Sequence, residues 1–396
     1  MEKLSFNGSG GEYFKIWIVN ILLTIITLGL YYPWAKVRNK RYFYGNTELN
    51  NRTFDYHATG KQLFISYLIA MGLFILYIII QNISPTGSLV ILAIFFLSFP
   101  WIIWKSLMFN MRVTSFSNVR FSFDGSLGQA YFNYLALPIL AFLSIYIMPI
   151  LIGILVGMQI VGESVAGVLF AIFGILIIPI ALYAFAVLKH RNTNYVMNSL
   201  HYGQGNFKTE LNTAKFFSIL FKAFLISIFL TVVAFLLIGI IAMLTGAGGD
   251  LMSIQNQLND PEAIQDIFSQ GIVIALIAGL YLAFILVAVV SFSYVYARQR
   301  RYIFENTKLD EKIGFMSSLR ATPMAWVSVS NIFLVICTLG LGIPWAKVRI
   351  MRLITENTHV DTSHGLSDYV TQQQEYQSSL GDQIGDAFDV DVGIGI

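Results

Sequence analysis

Six apolar runs follow one another through the chain, each near the roughly 20 residues that cross a hydrocarbon core of about 30 Å. They are Leu63 to Ile83, Leu89 to Trp104, Tyr134 to Gly157, Val165 to Leu188, Phe216 to Leu244 and Gly271 to Tyr296. Inside a bilayer no water meets an unpaired amide, so such runs fold only as helices or as a closed barrel. Runs without alternation select helices. Composition agrees: of 396 residues, 56% are hydrophobic and 12% charged, where a soluble domain carries about a quarter charged. A lone Cys337 closes no intramolecular disulfide, and five scattered histidines make no zinc signature.

The expected fold is all-α, a polytopic transmembrane helical bundle with internal repeats. It has six firm spans plus two short terminal membrane segments, Ile16 to Tyr32 and Trp326 to Ile343, within a membrane domain over residues 1–365. Met1 to Phe14 lacks a basic region leading into a short apolar core, so the run at Ile16 is expected to be part of the mature protein. An acidic, flexible tail is expected over 366–396. There Gln372 to Gln374 and Asp382, Asp386, Asp389 and Asp391 offer little apolar surface against the entropy of ordering.

Charge orients the spans. Lys and Arg fall before the first span, between the second and third, between the fourth and fifth, and after the sixth, with Lys222 just inside the fifth. The connections Ser84 to Ser88, Met158 to Ser164 and Thr245 to Gln270 have none, and the last carries Asp250, Asp260, Glu262 and Asp266. The positive-inside rule turns those three tips away from the cytoplasm and leaves three helical hairpins.

A motif recurs. Thr27-Leu28-Gly29-Leu30-Tyr31-Tyr32-Pro33-Trp34-Ala35-Lys36-Val37-Arg38 returns as Thr338-Leu339-Gly340-Leu341-Gly342-Ile343-Pro344-Trp345-Ala346-Lys347-Val348-Arg349. The spacing continues onward to Arg41, Asn46 and Thr47 and to Arg352, Asn357 and Thr358, and Asn20 matches Asn331. These copies lie near 16–60 and 327–360. A partial copy follows the sixth span, where Arg298, Arg301-Tyr302 and Asn306-Thr307-Lys308-Leu309 stand as Arg38, Arg41-Tyr42 and Asn46-Thr47-Glu48-Leu49 do, and Phe6-Asn7-Gly8-Ser9 matches Phe123-Asp124-Gly125-Ser126. The unit reads as hydrophobic segment, basic stretch, Asn-Thr, then a Phe-rich strand or turn. With Tyr42-Phe43-Tyr44 and Phe54-Asp55-Tyr56-His57-Ala58-Thr59-Gly60, the chain resembles the YjgN family of bacterial inner-membrane proteins. That resemblance implies a multi-pass protein of the bacterial inner membrane and brings no substrate, cofactor or catalytic residue.

If Trp326 to Ile343 crossed fully, Lys347, Arg349 and Arg352 would stand outside, against the charge rule. Re-entrant segments at both ends remove that conflict and keep both motif copies and both termini cytoplasmic, although eight full spans stay open. Pro33, Trp34, Lys36, Arg38 and Arg41, with Pro344, Trp345, Lys347, Arg349 and Arg352, form a candidate interface or functional motif. Its tryptophans are suited to the membrane boundary and its cations to anionic headgroups at the cytoplasmic face. Asn20 and Asn331 form a candidate intramembrane polar pair. The asparagine-threonine pairs are expected to stop helices. No Ser-His, paired-Asp or H-E-x-x-H constellation appears, so an enzyme, a cofactor and a metal are not expected. Nucleic acid is not expected as a partner, and no feature names a protein partner. The functional expectation is a passive transporter or channel for an unnamed solute. The alternative is a non-transporting scaffold or lipid-interacting protein.

Overall fold

The computed structural model describes residues 1–245, 271–361, 363 and 365–375. Asp250, Asp260, Glu262 and Asp266 lie outside the described residues, as does the tail beyond Glu375. Two short helices, α1 (Gly10–Ile26) and α2 (Tyr32–Gly45), come first. The six expected spans then appear as α3 (Gly60–Ile83), α4 (Pro85–Arg112), α5 (Leu127–Gly157), α6 (Glu163–Asn198), α7 (Thr213–Leu244) and α8 (Gly271–Glu305). A second short pair follows, α9 (Ala321–Cys337) and α10 (Ile343–Glu356). The six long helices are apolar enough to cross a membrane, so the polytopic helical architecture stands. Three of them, α4, α6 and α8, extend two to three turns beyond the apolar run, because the basic stretches continue the helix rather than end it.

The all-α expectation covers the membrane part; an eleven-stranded antiparallel sheet lies beside it. Its strands are β1 (Glu2–Lys3), β2 (Ser5–Phe6), β3 (Thr47–Leu49), β4 (Arg52–Tyr56), β5 (Thr114–Phe116), β6 (Val119–Phe123), β7 (Leu200–Tyr202), β8 (Gly205–Thr209), β9 (Thr307–Leu309), β10 (Ile313–Ser317) and β11 (Thr358–Val360). Two-residue turns at Asn50-Asn51 and Ser117-Asn118 hold φ of +52°, +56°, +50° and +65°. Two left-handed residues in a row give the turn whose twist suits a tight hairpin, and asparagine tolerates that conformation well.

The sheet order begins with β1 and ends with β2, yet these are one segment joined by Leu4. Glu2 and Lys3 pair with β11, the Leu4 amide donates to Thr358 (3.0 Å), and Ser5 and Phe6 pair with β3. One segment therefore pairs with both ends, and the sheet closes on itself. Leu4, Leu49, Phe116, Val119, Tyr202, Leu309, Ile313 and Val360 form its core, with Phe54, Phe121, Phe207 and Phe315 packed against them.

Every pair of helices leaves one strand and returns to its neighbour: β2 to β3, β4 to β5, β6 to β7, β8 to β9 and β10 to β11. Four of the five ascending helices begin with side-chain caps that take up free amides; α9, preceded by Arg320, has none. The Ser9, Thr59, Ser126 and Asn212 side chains accept from the amides of Glu12, Gln62, Gln129 and Ala214. The expected helix stops are there too: Asn46, Asn306 and Asn357 each donate to the carbonyl four residues back, at 2.8, 2.7 and 2.8 Å. Each helix packs on its neighbours in the chain, and α10 packs on α1, so the helices follow the sheet into a ring.

The short pairs explain the repeated Thr-Leu-Gly. Thr27 and Thr338 hydroxyls donate to Leu23 and Leu334 carbonyls (2.7 and 2.6 Å) and accept from the Tyr31 and Gly342 amides (3.0 and 2.7 Å). Gly29 and Gly340 then turn the chain at φ of +90° and +91°, open to glycine at little steric cost. Both pairs start and finish on the sheet, so each returns the chain to the side it left.

The expected tail boundary at 366 needs correction. Residues 366–375 form a helix, α11, seated on the sheet. Val370 is fully buried and Leu366 nearly so, both in the sheet's core cluster. The Tyr369 hydroxyl donates to Asp310 (2.6 Å), Arg52 donates to Ser367 (3.1 Å), and the Gln204 amide donates to Gln373 (2.7 Å). The two apolar anchors are spaced one turn apart within a polar stretch, which is why composition alone hides them.

Two outcomes follow from this architecture. Cysteines placed at Asn82 and Gln159 should react with a membrane-impermeant thiol reagent added outside, while one at Glu311 reacts only after lysis; the reverse pattern would overturn the shared orientation. Val370→Asp should lower stability by about 3 kcal/mol, since it buries a charge in an apolar core, and should expose 366–375 to limited proteolysis. Burial, with the Asp310 carboxylate beside it, also holds the Tyr369 phenol above its ordinary value. A raised value means stability complete below about pH 10 and lost as pH climbs, so Tyr369→Phe should flatten part of the alkaline fall in Tm.

Candidate functional site

Pro33 and Pro344 stand in the first turn of α2 and α10, where the missing amide leaves no bond unmade. Both are fully buried. The next residue leans on the following ascending helix. Trp34 lies against Gly60 and packs on Phe64, with ring centroids 4.9 Å apart; Trp345 lies against Gly10 and packs on Phe14 at 5.2 Å. A Cβ on either glycine would stand inside the indole. That the α10–α1 contact reproduces the α2–α3 contact is a direct expression of ring closure.

The cations of the motif divide into two kinds. Arg41 donates to the carbonyls of Tyr56 (3.2 Å) and Ala58 (3.0 Å), and Arg352 donates to that of Gly8 (2.9 Å). Each ties its helix to the strand exit of the next unit. Arg38 instead donates to the Tyr31 hydroxyl (3.1 Å) and the Asn20 amide oxygen (3.4 Å). Arg349 donates to the Asn331 amide oxygen (2.9 Å) and the Ser330 hydroxyl (3.0 Å). Lys36 and Lys347 are exposed, and Lys347 lies 5.9 Å from the Tyr13 ring centre.

The expected Asn20–Asn331 pair is not formed. Each asparagine is buried and belongs to its own copy: Asn20 donates to Asn39 (3.1 Å) and Asn331 to the Ala346 carbonyl (3.0 Å). The reason is geometric, since each is held at the level of the motif arginine descending beside it. The two sets of candidate residues thus merge into two arginine–asparagine sites.

Sequence reading matched Arg298 to Arg38 in the partial copy but missed two further cations in the same place, Lys105 and Arg191. Arg38 and Arg349 stand nine residues ahead of the strand-opening Thr47 and Thr358; Lys105, Arg191 and Arg298 stand nine ahead of Thr114, Leu200 and Thr307. All five are exposed, and among the described residues none has a carboxylate within 4.0 Å. The signal was a fixed distance from the strand, retained also by fully buried Pro33, Pro100, Ala186, Ser293 and Pro344, each fourteen residues ahead. Chemically the arrangement offers unneutralised guanidinium and ammonium groups where apolar spans end, which suits phosphate oxygens. Among the described residues no group of three or more His, Cys, Asp and Glu gathers to hold a metal ion.

Gly60→Val should cost about 2 kcal/mol by overpacking against Trp34. Adding Trp34→Ala should make the double variant less destabilised than the sum of the two; strict additivity in thermal melts would show the contact to be unimportant.

The family model described as a bacterial protein of unknown function (DUF898) matches residues 1–387. The inner membrane protein YjgN of Salmonella typhimurium (strain LT2) is 30% identical over 368 residues, covering 90% of this chain and 88% of that protein. The protein of the same name from Escherichia coli K12 is 28% identical over 364 residues, covering 90% and 87%. No solved structure matches. The chain belongs to this DUF898 family, whose relatives are the YjgN proteins, and it is a multi-pass protein of the bacterial inner membrane.

Proposed function

We propose that the protein is a lipid-interacting membrane protein, a ring of helices that encloses and anchors bilayer lipid, rather than an aqueous channel. The observation that carries this reading is exposure. Each span packs on its neighbours around the ring, yet no more than 11% of the most apolar stretch of any span is buried. In a packed bundle an apolar stripe on each helix would be covered. Apolar surface on both faces of a ring is stable against acyl chains, whereas water against it costs about 25 cal/mol per Å².

The sheet end supports the same reading. Its core is filled by apolar and aromatic side chains, with Leu366 and Val370 of α11 seated among them. Asn20 and Asn331, the candidate intramembrane polar pair, are engaged by Arg38 and Arg349. A passive solute transporter has no comparable observation in its favour. The role involves binding without chemistry on a substrate. Its partners are phospholipids, with anionic headgroups at the cytoplasmic face meeting the exposed cations. Five strand–helix–helix–strand units that share a buried position and a cation favour an internal repeat.

The test is paired. Protein extracted in mild detergent should retain phospholipid enriched in anionic species over the host membrane, read by mass spectrometry. Liposomes bearing the protein should release glycerol, amino acids and monovalent ions no faster than protein-free liposomes. Selective release of one solute would overturn the reading in favour of a facilitator.

A further inference from the structure

Where a descending helix meets the next ascending one, the ring has a seam. At α10 and α1 the seam is filled: Phe14 packs on Trp345, and Trp17 on Phe14 at 6.1 Å. At α8 and α9 the residues are smaller and the seam opens into a groove of about 570 Å³, lined by Ala288, Val289, Phe292, Ser293, Asn331 and Val335 among others. That volume falls within the roughly 300–1,000 Å³ of sites that hold one small ligand. Because α9 runs away from the sheet, Val335 and Ile336 mark the far, apolar end. Ser293, Ser328 and Asn331 mark the end nearer the sheet.

At that nearer end stands a cation with spare capacity. Arg349 uses two of its five N–H groups on neutral acceptors, Asn331 and Ser330. Among the described residues it has no carboxylate within 4.0 Å. Those two bonds fix the guanidinium beside the groove wall, since Asn331 belongs to both. A phosphodiester is a natural acceptor for the remaining donors.

We infer that the α8–α9 groove binds one acyl chain of an anionic phospholipid whose phosphate rests on Arg349. This rests on the lipid-interacting reading and names its site. The groove and the cation are complementary to the two halves of a single molecule, and the lipid source follows from the position of the groove along apolar spans. A free phosphate would satisfy Arg349 but leave the groove open to water.

The experiment uses the full chain, purified in detergent and titrated with phosphatidylglycerol or with phosphatidylcholine of the same chains, read by native mass spectrometry. Ala288→Phe fills the groove from an exposed position; Arg349→Gln removes the charge. Both should weaken phosphatidylglycerol binding at least tenfold, while Lys312→Gln, in the exposed β9–β10 turn, leaves it unchanged. Phosphatidylcholine should respond to Ala288→Phe and little to Arg349→Gln. Inorganic phosphate at millimolar concentration should not displace the lipid. Should Ala288→Phe fail to assemble, Ile336→Trp, at the other exposed wall, takes its place. Lipid retained equally by the wild type and both groove variants would overturn this site alone. Displacement by phosphate would replace it with a simple anion site. A wild type that retains no lipid would overturn the broader reading as well.

Discussion

The structure depends on one short segment hydrogen-bonded along both edges. Residues 2–7 join β11 to β3, with Leu4 bonding Thr358 and Asn7 bonding Asn46 at 2.9 Å. Strands of two to five residues are too short to be stable as isolated hairpins. Closure gives every strand a partner on each side and leaves no open edge to recruit another chain. It also brings the first helix against the last, so that Trp345 finds Gly10 as Trp34 finds Gly60. The first and last strands of the chain are therefore neighbours, and the fold is complete only when both termini are in place.

The basic motif follows from that closure. Its distal arginines, Arg41 and Arg352, are spent on backbone carbonyls of the next unit, where they satisfy acceptors that strand and helix leave unpaired. Its proximal arginines, Arg38 and Arg349, face only neutral side chains. One sequence element thus holds the ring together and, one turn earlier, presents charge that nothing in the described protein neutralises.

The sequence made the spans, the returning terminal pairs and the helix-stopping asparagines legible, because hydropathy and capping act locally. The ring was not legible. Strands such as Thr47–Leu49 are shorter than any periodicity can resolve, and the inward positions vary from Leu49 to Phe116 to Tyr202 while filling equivalent space. Only two of five units keep Pro-Trp-Ala-Lys; Ala186 and Ser293 stand where the others have proline, since burial there requires a small or compact residue rather than a particular one. The arginine–asparagine sites were half legible. Their members were singled out, but their pairing depends on the depth at which one helix passes another, which spacing along a single chain does not encode.

The two terminal helix pairs have a further effect on the surrounding bilayer. With 17 residues in α1 and α9 against 24 to 36 in the long helices, their ascending arms rise about 26 Å at 1.5 Å per residue, short of a core about 30 Å thick. Because α1 lies on α10, the two low pairs are adjacent, and the rim is notched over one continuous sector. Leu28 and Leu339 stand 92% and 94% exposed at the two tips. Hydrophobic mismatch concentrated on one side thins the bilayer there or draws in shorter chains, so the protein imposes a direction in the membrane plane on the lipid around it.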